Sequence, residues 1–342
     1  MNQQIVNLRA LAIVFIVLGH SIIIYDHTFE LLSSNVEMPL FEILKHWISF
    51  VQLKLFFSIS GFLLCYKIMN MREKSNEEAI STFFPFFQNK VLRLLVPYIC
   101  VALLWMDPIK IILGVPNYTL STGLVIEQLQ FSNSGHLWYL PCLFLIFLVL
   151  YPILVFIRNS RVMHIAMFFI LVGVNYFSGK MPEAFQIQNV TYYLVFFYLG
   201  YFINYTSLYI EENEITPPCL LFSDKKNYKT IVITLLFALS LLAGQVVAHF
   251  TSIGYELYLS IIVLLMFYFY MPSFSNKFVN EISNRSYGIY LFHSPLIYTT
   301  AFLCPNINPW LMLFLNFLVF GLVAYCLTVV IARSRLKFIV GS

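Results

Sequence analysis

The chain has 342 residues, 60% of them hydrophobic and 11% charged, with a mean hydropathy of +0.81. A soluble domain is about half apolar and a quarter charged, so this few charges cannot cover a water-facing surface, and a large soluble domain is excluded. The formal charge of +4 is small, and its placement says more than its size.

A membrane-spanning helix needs about 20 mostly apolar residues. Ten segments qualify: 5–25, 47–69, 91–106, 136–157, 162–178, 190–206, 230–249, 253–271, 286–304 and 309–332. The expected fold is therefore all-α, a polytopic integral membrane protein with a single domain over 1–342. The first apolar run starts at Ile5, is long, and lacks a small-x-small cleavage site, so it reads as a span and not as a cleaved signal. Residues 77–90 carry a phenylalanine-rich face and read as a helix lying on the membrane surface. Residues 108–131 are too short to span and read as interfacial or re-entrant. Placing the N-terminus in the cytoplasm puts 16 of the 20 basic residues on the inner side, leaving only Lys45, Lys110 and Lys180 outside and Lys54 within a span. That asymmetry follows the positive-inside rule, and an even number of spans then returns the C-terminus to the cytoplasm.

Ionisable groups at membrane depth are costly and usually functional. In span one, Arg9 and His20 are eleven residues apart, about 16 Å and close to three turns along a helix, so they share a face. Arg9 alone fits a positive-inside anchor, and His20 alone fits a hydrogen-bonded interhelical histidine. Span two carries Lys54 and then Ser58-Ile59-Ser60-Gly61. Ser60 and Gly61 allow close approach of a neighbouring backbone or a ligand. Lys54 either snorkels outward or lends charge to a cavity.

At the inner end of span three, Lys90 and Arg93 stand one turn apart and point together. Such a pair suits phosphate groups, or adds two more positive-inside residues. His136, Trp138 and Tyr139 open span four at the outer face, where an aromatic belt is the alternative for Trp138. Tyr287, Tyr290 and His293 step three residues at a time along span nine, a polar ladder that either ties helices together or lines a cavity. Stacked by depth, these groups form a column from one face of the membrane to the other. The six cysteines show no CxxC pair or metal spacing and read as buried small apolar residues. No metal, tightly bound cofactor or nucleic-acid partner is expected.

The chain resembles the membrane-bound acyltransferase-3 family of bacterial O-acyltransferases. The resemblance runs nearly end to end. It comprises Arg9-x10-His20, the Phe-Phe-x-x-Ser-Gly-Phe run of Phe56 to Phe62, His136-Leu-Trp-Tyr139, and Ser286-Tyr-x-x-Tyr-x-x-His293, in order on their spans. The resemblance implies transfer of an acyl group, most often acetyl, from cytoplasmic acyl-CoA to a hydroxyl of an extracytoplasmic glycan, in the bacterial cytoplasmic membrane. It implies that His20 is the catalytic histidine with Arg9 its partner, and that Lys90 and Arg93 meet the phosphates of acetyl-CoA. The family's Arg-x-x-Arg appears as Lys90-x-x-Arg93, which keeps both charges but loses one bidentate fork. Lys54, Tyr290 and His293 are oxyanion candidates, with Ser60, His136, Trp138 and Tyr287 as further substrate-binding candidates. A transporter or flippase for a glycan or lipid-linked sugar is the rival from another class, since a polar column suits that too.

Overall fold

A computed structural model of the chain describes residues 2–25, 38–115, 119, 121–131, 135–212 and 252–341. The expected span at 230–249 and Cys219 lie outside the described residues. The structure is 85% helical, with no strand among the described residues. Among the described residues, five helices are long and apolar enough to cross a membrane: Gln3–Ser21, Pro39–Met69, Asn76–Ile112, Gly135–Ile157 and Pro309–Arg333. The remaining described helices include α10 (Arg161–Tyr176), α11 (Ile187–Glu212), α12 (Ser252–Tyr270) and α13 (Lys277–Leu303). They occupy four further expected spans.

Polarity is distributed inside out. Lys54, Asp107, Lys110, Gln128, His293 and Asn316 are all buried, while Leu104 is 73% and Phe156 77% exposed. Only a hydrocarbon solvent makes that arrangement favourable, because polar groups then gain by turning inward to protein partners and apolar ones lose nothing by facing lipid.

Helix α1 (Gln3–Ser21) runs alongside α13. Arg9 meets Ser283 and His20 meets His293, so the two helices run parallel and in step. The third expected span does the same against α13, through Arg93 with Tyr287, Trp105 with Phe292 and Lys110 with Tyr298. Helix α3 (Gln52–Met69) packs on α11 at backbone contact. A Cβ on Gly61 would fall 1.8 Å from the Phe197 carbonyl oxygen, and one on Gly200 would fall 1.8 Å from that of Ser58. No side chain larger than hydrogen fits either position. Asn204 then donates to the Phe62 carbonyl at 2.8 Å.

The third span departs from its expected limits. Helix α4 (Asn76–Ser81), capped by Ser75 and Glu78, leads into α5 (Phe83–Lys90), which continues without a break. A π turn (Val91–Leu95), α6 (Val96–Val101), a second π turn (Ala102–Met106) and α7 (Asp107–Ile112) follow. The segment expected to lie on the surface is thus the root of a span, and Asp107–Ile112 belongs to its far end. Each π turn ends two residues before a proline, Pro97 or Pro108. A proline ring clashes with the carbonyl four residues back and leaves it without an N–H, and the wider turn relieves the clash. Helix α8 (Thr122–Leu129) packs against this end, where buried Gln128 donates to Asp107 at 3.3 Å and accepts from Tyr98 at 2.9 Å.

Arg158, one of the inner-side basic residues, takes a structural role, and the expectation for the cysteines changes. Arg158 is buried and donates to the carbonyls of Met71, Lys74 and Val155 and to Asn76, pinning the 70–76 turn. Among the cysteines, Cys65 and Cys142 are buried, but Cys304 and Cys326 are exposed, as lipid-facing thiols can be.

Candidate active site

A contact between two histidines joins the first and ninth expected spans. His20 Nδ1 lies 2.9 Å from His293 Nε2. His293 is fully buried and its Nδ1 lies 3.0 Å from the Ile289 carbonyl and 2.9 Å from that of Tyr290. Carbonyls only accept, so Nδ1 of His293 carries the hydrogen, and in the neutral ring Nε2 is a lone pair. That lone pair must receive the Nδ1–H of His20. The remaining nitrogen of His20, Nε2, is then an unprotonated acceptor on a half-buried ring. The geometry therefore assigns the tautomer of both rings and leaves His20 with a basic nitrogen.

His136 stands against the same cluster, its ring centroid 5.7 Å from that of His293 and 5.8 Å from that of Tyr290. Pro295 explains its orientation. Lacking an N–H, Pro295 leaves the Leu291 carbonyl without its helical partner, and His136 Nε2 donates to that carbonyl at 3.2 Å. The adjacent Phe292 carbonyl accepts from Trp105 Nε1 at 3.2 Å. Tyr290 in turn donates its hydroxyl to the backbone carbonyl of His136. Neutral His136 thus has its N–H committed, and its Nδ1 has no hydrogen-bond partner among the described residues.

A cavity of about 350 Å³ opens beside the cluster. Its lining includes Arg9, Ser60, Lys90, Arg93, Tyr287 and Tyr290, with Tyr139 among the apolar and aromatic remainder. The cavity therefore gathers six of the candidates that the sequence scatters over four expected spans. Arg9 donates to the Ser283 carbonyl from Nε (2.9 Å) and Nη2 (2.6 Å), which holds its guanidinium at the wall. Lys90 Nζ sits 3.8 Å from the centre of the Phe147 ring. Arg93 Nη2 donates to the Gly341 carbonyl at 2.9 Å. Pro97 leaves the Arg93 carbonyl free, and Tyr287 donates to it at 2.7 Å. The lining presents three cations, none within ion-pair distance of a described carboxylate. Such a lining has the charge that an anion would require.

Two candidates lie elsewhere. Lys54 is buried in an ion pair with Glu256 (2.9 Å), with Ser260 accepting at 2.9 Å and Tyr192 donating to the same carboxylate at 2.5 Å. The rings of Phe50, Tyr192 and Phe196 stand about its ammonium. It is a helix tie between α3 and α12 and does not reach the histidines, which corrects the reading of Lys54 as a charge aimed into a cavity. Trp138 packs on Phe57 and Tyr193 in an aromatic shell.

Two contributors were not singled out in the sequence. Lys67 lies over the Phe86 ring at 4.4 Å, the ring that Lys90 also approaches at 5.3 Å, so it adds a cation at the same end. Asn316, buried in the last expected span, accepts from Thr300 at 2.5 Å and donates to the Ser21 carbonyl at 3.4 Å, holding the end of α1 next to His20. A polar asparagine within an apolar run is the signal that could have revealed it.

A family model described as an acyltransferase domain matches residues 2–333. The chain belongs to the acyltransferase-3 family. It is a membrane acyltransferase by that membership and by its apolar helices. Neither a curated protein nor a solved structure matches the chain.

Proposed function

We propose that this acyltransferase moves an acyl group, acetyl above all, from cytoplasmic acyl-CoA to a hydroxyl of a glycan beyond the bacterial cytoplasmic membrane, with His20 as general base. The observation that carries this reading is the His20–His293 hydrogen bond, because it leaves His20 Nε2 as a lone pair in a cluster that meets the cation-lined cavity through Tyr290. The proposal uses ten spans with both termini cytoplasmic. The parallel runs of spans one, three and nine, and of spans two and six, where Phe57 meets Tyr193 and Arg72 meets Glu212, agree with the alternation that such a topology demands.

The donor's phosphates meet Lys90, Arg93 and Arg9 at the inner mouth, and the acyl-pantetheine arm follows the cavity toward Tyr139 and Tyr290. The acceptor hydroxyl gives its proton to His20 Nε2 as its oxygen attacks the thioester carbon. The C–S bond then breaks, the sulfur takes the proton from His20, and an ester and free CoA thiol result. His293 positions His20 and accepts from it throughout. Tyr290 and His293 have their polar hydrogens on other partners, and Lys54 is tied to Glu256 and Ser260 away from the histidines, so none of them is the oxyanion donor in this conformation.

The test compares O-acetylation and export of surface glycans in cells carrying wild-type, His20→Ala or Arg93→Ala protein. Export intact with acetyl esters lost is expected. Export lost while emerging glycans stay acetylated would transfer the assignment to a transporter, a reading against which the family match already weighs.

A further inference from the structure

The cavity described above is too small for the whole donor. At about 350 Å³ it lies at the lower end of pockets for drug-sized ligands, roughly 300–1,000 Å³. It suits the slender acyl-pantetheine arm, but an adenine nucleotide bearing three phosphate groups must lie outside it. A second cleft, of about 390 Å³, adjoins it at the Lys90–Arg93 end of the bundle. Arg93 and Gly341 line both spaces, and their hydrogen bond is the partition between them.

The second cleft is built for a flat heteroaromatic ring. Its floor is Phe338, 44% exposed, although its neighbours Ile339 and Val340 are buried. The short 3₁₀ helix Lys337–Val340 explains this split, and Gly341 closes it in a left-handed conformation (φ 69°) that sends its carbonyl to Arg93. Gln88 and Asn89, at the end of α5, also line the cleft. Both are exposed, and neither side chain makes a hydrogen bond to a described residue. A carboxamide offers a donor and an acceptor side by side, which is the complement of adenine's N6 and N7 edge. An exposed aromatic face stacks on a base, and Arg93 between the clefts sits where the phosphates must pass.

We infer that the cleft between Gln88, Asn89 and Phe338 is the adenine subsite of the donor, so that the segment ending at Gly341 forms part of the donor site. The inference rests on the acyl-CoA reading above. It assigns Arg93 to the phosphates, Phe338 to the face of the base, and Gln88 and Asn89 to its edge.

The test uses detergent-purified full-length protein and two ligands, acetyl-CoA and S-acetyl-phosphopantetheine, which lacks the nucleotide. Ligand affinity is read from thermal stabilisation across a concentration series. In the wild type, acetyl-CoA should bind more tightly than S-acetyl-phosphopantetheine. Phe338→Ala and Asn89→Ala should each weaken acetyl-CoA roughly tenfold, the scale of losing a stacked base, and leave S-acetyl-phosphopantetheine unchanged. Phe338→Tyr, which keeps the ring, should restore acetyl-CoA affinity. Asn89 is exposed, so its variant tests the cleft without disturbing packing. If both alanine variants bind acetyl-CoA as tightly as the wild type, the adenine assignment is overturned while the acyl-CoA reading survives. If the wild type responds to neither ligand, the acyl-CoA reading itself fails and takes the adenine subsite with it.

Discussion

His293 accepts the Nδ1–H of His20 across 2.9 Å, and two backbone carbonyls fix which nitrogen of His293 can do so. A base whose tautomer is set by its neighbour should lose most when removed and less when the neighbour is. For His20→Ala we expect acyl transfer to fall by roughly 10²–10⁴, the range for a general base. For His293→Ala a smaller fall in kcat is expected with KM for acyl-CoA unchanged. His293→Gln, whose amide oxygen can accept the same hydrogen, should recover part of the loss. Equal kcat for His293→Ala and wild type would remove His293 from the site.

The three cations of the cavity have no described carboxylate partner, and this predicts their response to substitution. Lys90→Ala and Arg93→Ala should each raise KM for acyl-CoA by roughly tenfold or more, in line with about 1.5–3 kcal/mol for a charge-assisted hydrogen bond. The wild-type KM should rise with salt, and less steeply in either variant. Lys67→Ala tests the cation that the sequence did not single out, through the same steady-state measurement.

The Gly61–Gly200 crossing predicts opposite signs for one chemical change. Gly61→Ala and Gly200→Ala each place a methyl at 1.8 Å from a carbonyl oxygen, so the two backbones must part. Destabilisation of about 1–3 kcal/mol or more is expected, the usual scale of overpacking. Gly173, in α10, meets no atom of the described residues within 4 Å. Gly173→Ala should therefore stabilise or be neutral, since alanine favours a helix by about 1 kcal/mol over glycine. Thermal melts of the three purified variants decide the matter.

Buried Lys54 pairs with Glu256, itself 44% exposed, at a place remote from the histidines. Glu256→Gln weakens a charge-assisted bond to an ammonium of which only 2% is exposed, and a loss of about 1.5–3 kcal/mol is expected. A Lys54→Met, Glu256→Leu double variant should regain much of it, and both should keep normal turnover per folded molecule. Loss of turnover without loss of stability in Lys54→Met would return Lys54 to the chemistry.

How far the sequence reveals these relations depends on their range. Spans follow from apolar length, and the three-residue ladder of span nine follows from helical periodicity, because both are local. The partners are not. Tyr287, Tyr290 and His293 share a stripe, yet one bonds Arg93, one His136 and one His20, residues that lie 150 to 270 positions away along the chain. Lys54 looked available because Glu256 is some two hundred residues distant. Gly61 announced a close approach without naming Gly200. In the sequence, residues 77–90 read as a helix on the membrane surface because their phenylalanines form an amphipathic face, whereas backbone continuity through the Val91–Leu95 π turn makes them the base of span three.

Pro97 and Pro295 act by subtraction. Neither carries a charge or a polar hydrogen, yet the hydrogen each lacks is what turns a backbone oxygen toward Tyr287 in one case and His136 in the other. The instruction for aiming a catalytic-site side chain is thus written on a different helix, in a residue that a search for reactive groups passes over. Restoring the missing hydrogen with Pro295→Ala would let the helix reclaim Leu291 and set the His136 ring adrift, with every ionisable group still in place.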